Sequence, residues 1–335
     1  MYSALILAAG AGTRMKSDIP KVVHEVLFKP IIGWVLDAVD EVETKVVVIG
    51  HGGDKVKEVV GDKAGVKFAV QEQQLGTGHA VSVSKECFNG ISGSVVILGG
   101  DAPLITKETL NNAYAYHKKA ENTVTVLTAH VDNPTGYGRM VRNFSGNITK
   151  IVEHKEANAD ELNITEINSG MYFFEIDELF AALEKIGNKN AQGEYYLTDT
   201  IEIMLKENKK VGAYLVSDNT ELLGINDRRQ LAHATEILRS RIINRHLEGG
   251  VSFVAPSTAF IGGEVDIAPN VTIMPNVIIK GNTTVGGGCV VGSNSQISNS
   301  RIGTGVKISC SVIEDSEIGE NASVGPFAYM HPENK

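Results

Sequence analysis

"IGGEVDIAPNVTIMPNVIIKGNTTVGGGCVVGSNSQI", Ile261 to Ile297, places an aliphatic residue at every sixth position: Ile261, Ile267, Ile273, Ile279, Val285, Val291 and Ile297. After a five-residue step the series resumes through Ile302, Ile308, Ile313, Ile318 and Val324. Gly262, Gly286, Gly292, Gly303, Gly319 and Gly325 each stand directly after one of these positions. No α-helix keeps such a stripe on one face, because its period is about 3.6 residues. A β-sandwich would alternate with period two and break at hairpin turns. The spacing predicts a parallel β-helix, in which each hexapeptide forms one side of a triangular coil and turns its aliphatic residue inward. At roughly eighteen residues per coil, the segment holds about four coils.

Upstream, to about residue 225, the period is different. "KVVVIG" (Lys45 to Gly50), "KFAVQ" (Lys67 to Gln71), "SVVILGGD" (Ser94 to Asp101) and "TVTVLTAHV" (Thr123 to Val131) read as strands. Between them, residues 31–42 and 76–88 carry helical spacing. This alternation predicts an α/β domain around a mainly parallel sheet, with ligands at the carboxyl ends of strands. From Asn226 the sequence becomes a connecting helix, with Leu231, Ala234, Ile237, Leu238, Ile242 and Leu247 near one face. Asn226 or Asp227 can cap its start, and Gly249-Gly250 can stop it. The expected division is therefore 1–226, a linker over 227–250, and the β-helix over 251–335.

Composition narrows the partners. A chain of 335 residues with 42% apolar content can bury a core in each of two domains. A net charge of −9 argues against a nucleic-acid or anionic-membrane surface, so any polyphosphate has to be met by local cations. Cys87, Cys289 and Cys310 are dispersed, without metal-ligand spacing or a disulfide framework, which fits a reducing cytoplasm. No stretch has the length of a membrane span or the pattern of a secretory leader.

The first strand runs into "LILAAGAGTRMKSDIPK", Leu5 to Lys21. Ala8, Ala9, Gly10 and Gly12 form a loop without bulk, where backbone N–H groups can approach an anion, and a helix is expected to start after it. A dinucleotide turn would need Gly where Met15 stands, and a P-loop would need a Gly-Lys-Ser/Thr ending. What is present instead is Arg14 and Lys21, donors suited to more than one phosphate. Asp101 closes the apolar run "SVVIL", where an unpaired carboxylate would be costly and a Mg²⁺ ion would relieve it. Gln71 offers an amide that can pair with a pyrimidine edge, and Thr77 reads equally well as a helix cap.

In order along the chain, "LAAGAGTRM…PK", "QLGTGHA", "GGDAPL", "PTGYGR", "VEHK", "EINSG", "AQGEYYLTD" and "GIND" precede the hexapeptide repeats. This series resembles the bacterial bifunctional N-acetylglucosamine-1-phosphate uridyltransferase/glucosamine-1-phosphate acetyltransferase family over nearly the whole chain. The resemblance implies a Rossmann-like nucleotidyltransferase domain followed by a left-handed β-helix. It also implies UTP and N-acetylglucosamine 1-phosphate as substrates, Mg²⁺ as cofactor and assembly as a homotrimer. By this similarity Ala8, Ala9, Gly10, Gln71, Gly76 and Thr77 border the nucleotide. Arg14 and Lys21 meet its phosphates, and Asp101 and Asn226 hold the metal. Gly138, Glu153 and Asn168 face the sugar, with "GEYYLTD" nearby.

Two positions depart from the family pattern. Gly99 stands where relatives often carry Tyr, and His331 stands where they usually carry Arg. The acetyl-transferring His of the family, with its Lys, Tyr and Asn companions, belongs to later coils, so no acetyltransferase activity is expected in this polypeptide. The rival readings are another sugar-1-phosphate nucleotidyltransferase and a non-catalytic sugar-nucleotide-binding regulator. A dehydrogenase is disfavoured by Met15.

Overall fold

The computed structural model describes residues 2–10, 12–190 and 192–333. Ala11 of the opening loop and Ala191 of the "AQGEYYLTD" stretch lie outside these residues, as do Met1 and residues 334–335. The chain divides into two compact units. One runs to His24 and resumes from Pro30 to Gln230, and the other takes Glu25–Lys29 and the chain from Leu231 onward.

The first unit is built on a nine-stranded sheet. Its strands are β1 (Tyr2–Ala8), β2 (Lys45–Ile49), β3 (Val66–Val70), β4 (Ser94–Gly99), β5 (Val124–His130), β6 (Gly138–Arg142), β7 (Ile148–Val152), β8 (Glu166–Glu175) and β9 (Val211–Leu215). The order is β9-β5-β8-β4-β1-β2-β3. β8 runs antiparallel to both β4 and β5, while β1 is parallel to β2 and β4. The β6–β7 hairpin joins the amino end of β8 through Gly138 and Arg139.

Alternation along the strands fills two cores. Ala4, Ile6, Ala8, Val47, Ile49, Val96 and Leu98 face one layer with Ile32, Val35, Leu36 and Leu110 of the covering helices. Leu5, Val46, Val48, Val95 and Ile97 face the other, with Val81, Leu179, Phe180, Ile201 and Met204. Burial on both faces explains why these strands read as continuous apolar runs.

Three expected helices differ in extent. The first stops at Ala38, because Val39 leaves helical geometry at φ −122°. The second is a short helix over Thr77–Ser82 followed by a 3₁₀ turn over Lys85–Phe88. Among the described residues no α-helix starts between the opening loop and Ile31. Lys16 takes a left-handed conformation, ending a single 3₁₀ turn over Thr13–Met15, and Pro20 precedes another over Lys21–Val23. Gly12 is required here: its φ is +62°, and a Cβ would lie 2.6 Å from the Cβ of Lys21.

In the second unit the coils stack as three parallel sheets. Ile261, Ile279, Ile297 and Ile313 lie in register along one, Ile267, Val285, Ile302 and Ile318 along another, and Ile273, Val291, Ile308 and Val324 along the third. The stack is the parallel β-helix expected from the period, left-handed as the family resemblance implies. Its corners use Asn270, Asn276, Asn294, Asn299 and Asn321 at positive φ, which Asn tolerates better than most residues. Buried hydroxyls satisfy the backbone of the next coil: Thr283 Oγ1 accepts from Ser300 N at 3.3 Å, and Ser300 Oγ from Ser316 N at 3.1 Å.

The connecting helix spans Arg228–Glu248. Asp227, and not Asn226, caps it, accepting from the backbone N–H groups of Arg229 and Gln230 at 2.9 Å each. Its buried row is Ala234, Leu238, Ile242 and His246, with Ile243 beside it. Leu247, expected on the apolar face, is exposed, since it falls one residue past this four-residue row.

Candidate active site

Two adjoining cavities open at the carboxyl ends of β1 and β4. The larger, about 490 Å³, is lined by Ala9, Gly10, Gln71, Gly76, Thr77, Asp101 and Asn226 among others. The smaller, about 210 Å³, is lined by Gly138, Glu153, Asn168, Tyr172 and Thr198. Leu7, Thr77, Tyr137, Ser169 and Gly170 border both.

Four expected residues from three distant segments meet at the rim. Lys21 Nζ donates to Asp101 Oδ2 at 2.5 Å and to Asn226 Oδ1 at 3.0 Å. Arg14 Nη2 donates to the same Asn226 oxygen at 2.9 Å. The carboxylate and amide oxygens thus converge on one cationic point, which the ammonium occupies. Two such oxygens are the donor set that Mg²⁺ takes from protein when phosphates and water complete its octahedron. Among the described residues no cluster of three or more His, Cys, Asp or Glu side chains could hold a metal.

The opening loop is locked to its neighbours. Gln74 Nε2 donates to the Ala9 carbonyl at 2.7 Å, and Gly100 N donates to the Leu7 carbonyl at 2.9 Å. Ala8 and Ala9 are buried, and Gly10 is exposed. Gln71 is buried, and its Nε2 donates to the Gly76 carbonyl and lies 3.1 Å from His79 Nδ1.

"GTGHA" is stitched to "EYYL". Tyr195 N donates to the Leu75 carbonyl and Gly78 N to the Tyr195 carbonyl, each at 2.8 Å. Thr77 does not cap the helix it begins; its Oγ1 accepts from Leu197 N at 3.0 Å. Gly76 holds φ +106°, ψ 176°, a conformation left almost wholly to glycine.

In the smaller cavity, Gly138 and Asn168 are paired across β6 and β8. Asn168 Nδ2 donates to the Tyr172 hydroxyl oxygen at 2.8 Å, and its Oδ1 accepts from Gly170 N at 3.1 Å. Glu153 lies 3.4 Å from the Thr198 hydroxyl. Burial raises the pKa of Glu153 above the ordinary 4.5, with Glu156 and Asp199 adding to the shift and the Thr198 hydrogen bond opposing it. Burial likewise raises the Tyr137 phenol, assisted by the Asp101 carboxylate.

Gly99 lines the larger cavity, and a Cβ there would lie 2.6 Å from Asp101 Oδ1. His331, on the final coil, is stacked on Tyr329 and lies 4.0 Å from Asp315 Oδ2.

The model of the family described as nucleotidyl transferase matches residues 3–224. The chain is 47% identical over 331 residues to the bifunctional protein GlmU of Acetivibrio thermocellus, covering 98% of this chain and 71% of that protein. It is 48% identical over 338 residues to GlmU of Clostridium novyi, covering 100% and 74%. For GlmU of Clostridium perfringens the figures are 50% over 333 residues, 99% and 73%. The chain belongs to the nucleotidyl transferase family, among the bifunctional GlmU proteins. The matched span holds the sheet and, apart from Asn226, every side chain of the rim and of the two cavities described above.

Sequence reasoning singled out neither Tyr137 nor Gln74. Both stand inside quoted motifs, so their motifs marked the right segments. What selects them is their tertiary contact: Tyr137 borders both cavities, and Gln74 holds the loop sixty-five residues before it.

Proposed function

We infer that this chain is a UTP-dependent N-acetylglucosamine-1-phosphate uridyltransferase, producing UDP-N-acetylglucosamine for cell-wall precursors and releasing pyrophosphate. The observation that carries this reading is the meeting of Arg14, Lys21, Asp101 and Asn226 at the mouth of paired cavities.

A phosphate oxygen of the acceptor, already ionised at neutral pH, attacks the α-phosphorus of UTP as pyrophosphate leaves in line. No general base and no covalent enzyme intermediate are required. Positioning and charge neutralisation supply the rate. The loop Ala8-Ala9-Gly10 borders the nucleotide, Gln71 and Gly76 read the uracil, and Thr77 lies alongside. Lys21 turns its ammonium from Asp101 and Asn226 to the α-phosphate, while Arg14 meets the outer phosphates. Asp101 and Asn226 would hold Mg²⁺, which supplies neutralisation of the phosphate oxygens when bound. Gly138, Glu153 and Asn168 bind the sugar through a backbone amide, a carboxylate and a side-chain amide.

In this reading residues 1–226 carry the chemistry, 227–250 link, and 251–335 assemble the chain as a homotrimer. The reaction belongs in the cytoplasm; among the described residues no helix is long and apolar enough to cross a membrane. The test is a substrate panel. Pyrophosphate release should require Mg²⁺, UTP over ATP or dTTP, and N-acetylglucosamine 1-phosphate over glucose 1-phosphate. Preference for a different nucleotide or for the unacetylated sugar would move the chain to another nucleotidyltransferase branch. Binding without release would make it a regulator.

A further inference from the structure

Arg139 is a buried cation that the mechanism above does not use. It is 1% exposed, and the residues opposite it in the sheet, Val152 and Ile167, are apolar. Its Nη1 donates to the Tyr137 carbonyl, its Nη2 lies 3.4 Å from His154 Nδ1, and its Nε has no partner. No carboxylate offsets it among the described residues, and burial alone depresses its pKa. Burying an uncompensated guanidinium is costly, and an apolar side chain of similar volume would fit these surroundings with less penalty.

The two groups it engages are informative. Tyr137 directly precedes Gly138, and His154 directly follows Glu153. Tyr137, Gly138 and Glu153 line the same 210 Å³ cavity. One planar fork therefore ties the strand start that presents the Gly138 amide to the strand end that presents the Glu153 carboxylate. We propose that Arg139 is a positioning residue that fixes the spacing of Gly138 and Glu153 around the acceptor sugar, accepting a stability cost to do so. The proposal rests on the reading of this cavity as the sugar end of the site.

The test uses the full chain with Arg139→Met, Arg139→Lys and His154→Ala. KM for N-acetylglucosamine 1-phosphate should rise at least about tenfold in both Arg139 variants and in the same direction, by less, in His154→Ala. KM for UTP and kcat should stay within about threefold. The melting temperature of Arg139→Met should be unchanged or higher. A lysine keeps the charge but not the fork, so retention of acceptor KM in Arg139→Lys alone would overturn the geometric role in favour of a charge effect. An acceptor KM unchanged in all three variants would overturn the proposal. So would a parallel loss of both substrates with a fall in melting temperature. If Arg139→Met does not fold, Arg139→Lys and His154→Ala decide the matter. A wild-type chain that turns over no N-acetylhexosamine phosphate would defeat the functional reading itself, a result visible before any variant is compared.

Discussion

Gly76→Ala should weaken nucleotide binding strongly through the backbone alone. Gly76 sits at φ +106°, ψ 176°, where a Cβ costs about 1–3 kcal/mol in strain. That Cβ would also lie 2.6 Å from the Tyr195 carbonyl oxygen and 2.9 Å from Tyr195 N. Both Tyr195 atoms are engaged, the nitrogen with the Leu75 carbonyl and the oxygen with Gly78 N. Relief requires the two stretches to part, at about 1 kcal/mol for each hydrogen bond lost. The total is about 3–5 kcal/mol, and a local loss of that size weakens UTP binding by roughly two to four orders of magnitude.

Gly90→Ala is the control. Its φ of +78° also lies in the region that favours glycine, but an added Cβ meets nothing within 4 Å, and it lines neither cavity. Calorimetric titration with UTP, alongside thermal melting, separates the two effects. Gly90→Ala should lower the melting temperature slightly and leave UTP affinity unchanged. UTP affinity of Gly76→Ala within threefold of wild type would refute the reasoning.

Other consequences follow from burial and from the coil. Because burial raises the Glu153 pKa, its protonated form is favoured in the fold. Its contribution is therefore fully present below the ordinary 4.5 and is lost as pH rises through the raised folded value. Glu153→Gln should flatten that loss in a pH series of denaturant melts; identical pH profiles would contradict the shift. The ionised form accepts bonds from sugar hydroxyls, so acceptor KM should rise as pH falls through the same window while UTP KM stays level. In the β-helix, Ser300→Ala removes the acceptor for Ser316 N and should cost about 1–3 kcal/mol in urea unfolding. A change under 0.3 kcal/mol, well below that range, would show that another group takes up this N–H.

The β-helix was legible because each aliphatic position repeats locally, so register along the coil follows from the sequence period itself. The convergence of Arg14, Lys21, Asp101 and Asn226 was legible only through motif order, since 212 residues separate Arg14 from its Asn226 partner. Local rules misled where tertiary partners compete for the same atom. Thr77 Oγ1 looks like a cap but serves Leu197 N, and the capping role at the long helix goes to Asp227 while Asn226 faces two cations. The helix expected after the opening loop fails because Lys16 turns left-handed and Pro20 follows, which leaves Lys21 on a short 3₁₀ turn aimed at Asp101.

The most direct measurement is the rate of UDP-N-acetylglucosamine formation, at saturating UTP, Mg²⁺ and N-acetylglucosamine 1-phosphate, by wild type and by Asp101→Ala. Asp101 supplies the only carboxylate at the point where Lys21, Arg14 and Asn226 meet among the described residues. The variant should keep its circular-dichroism spectrum and lose at least about a hundredfold in kcat, the range expected when one fixed electrostatic element of a transfer site is removed. A folded Asp101→Ala chain that forms product within threefold of the wild-type rate would contradict the assignment of this site.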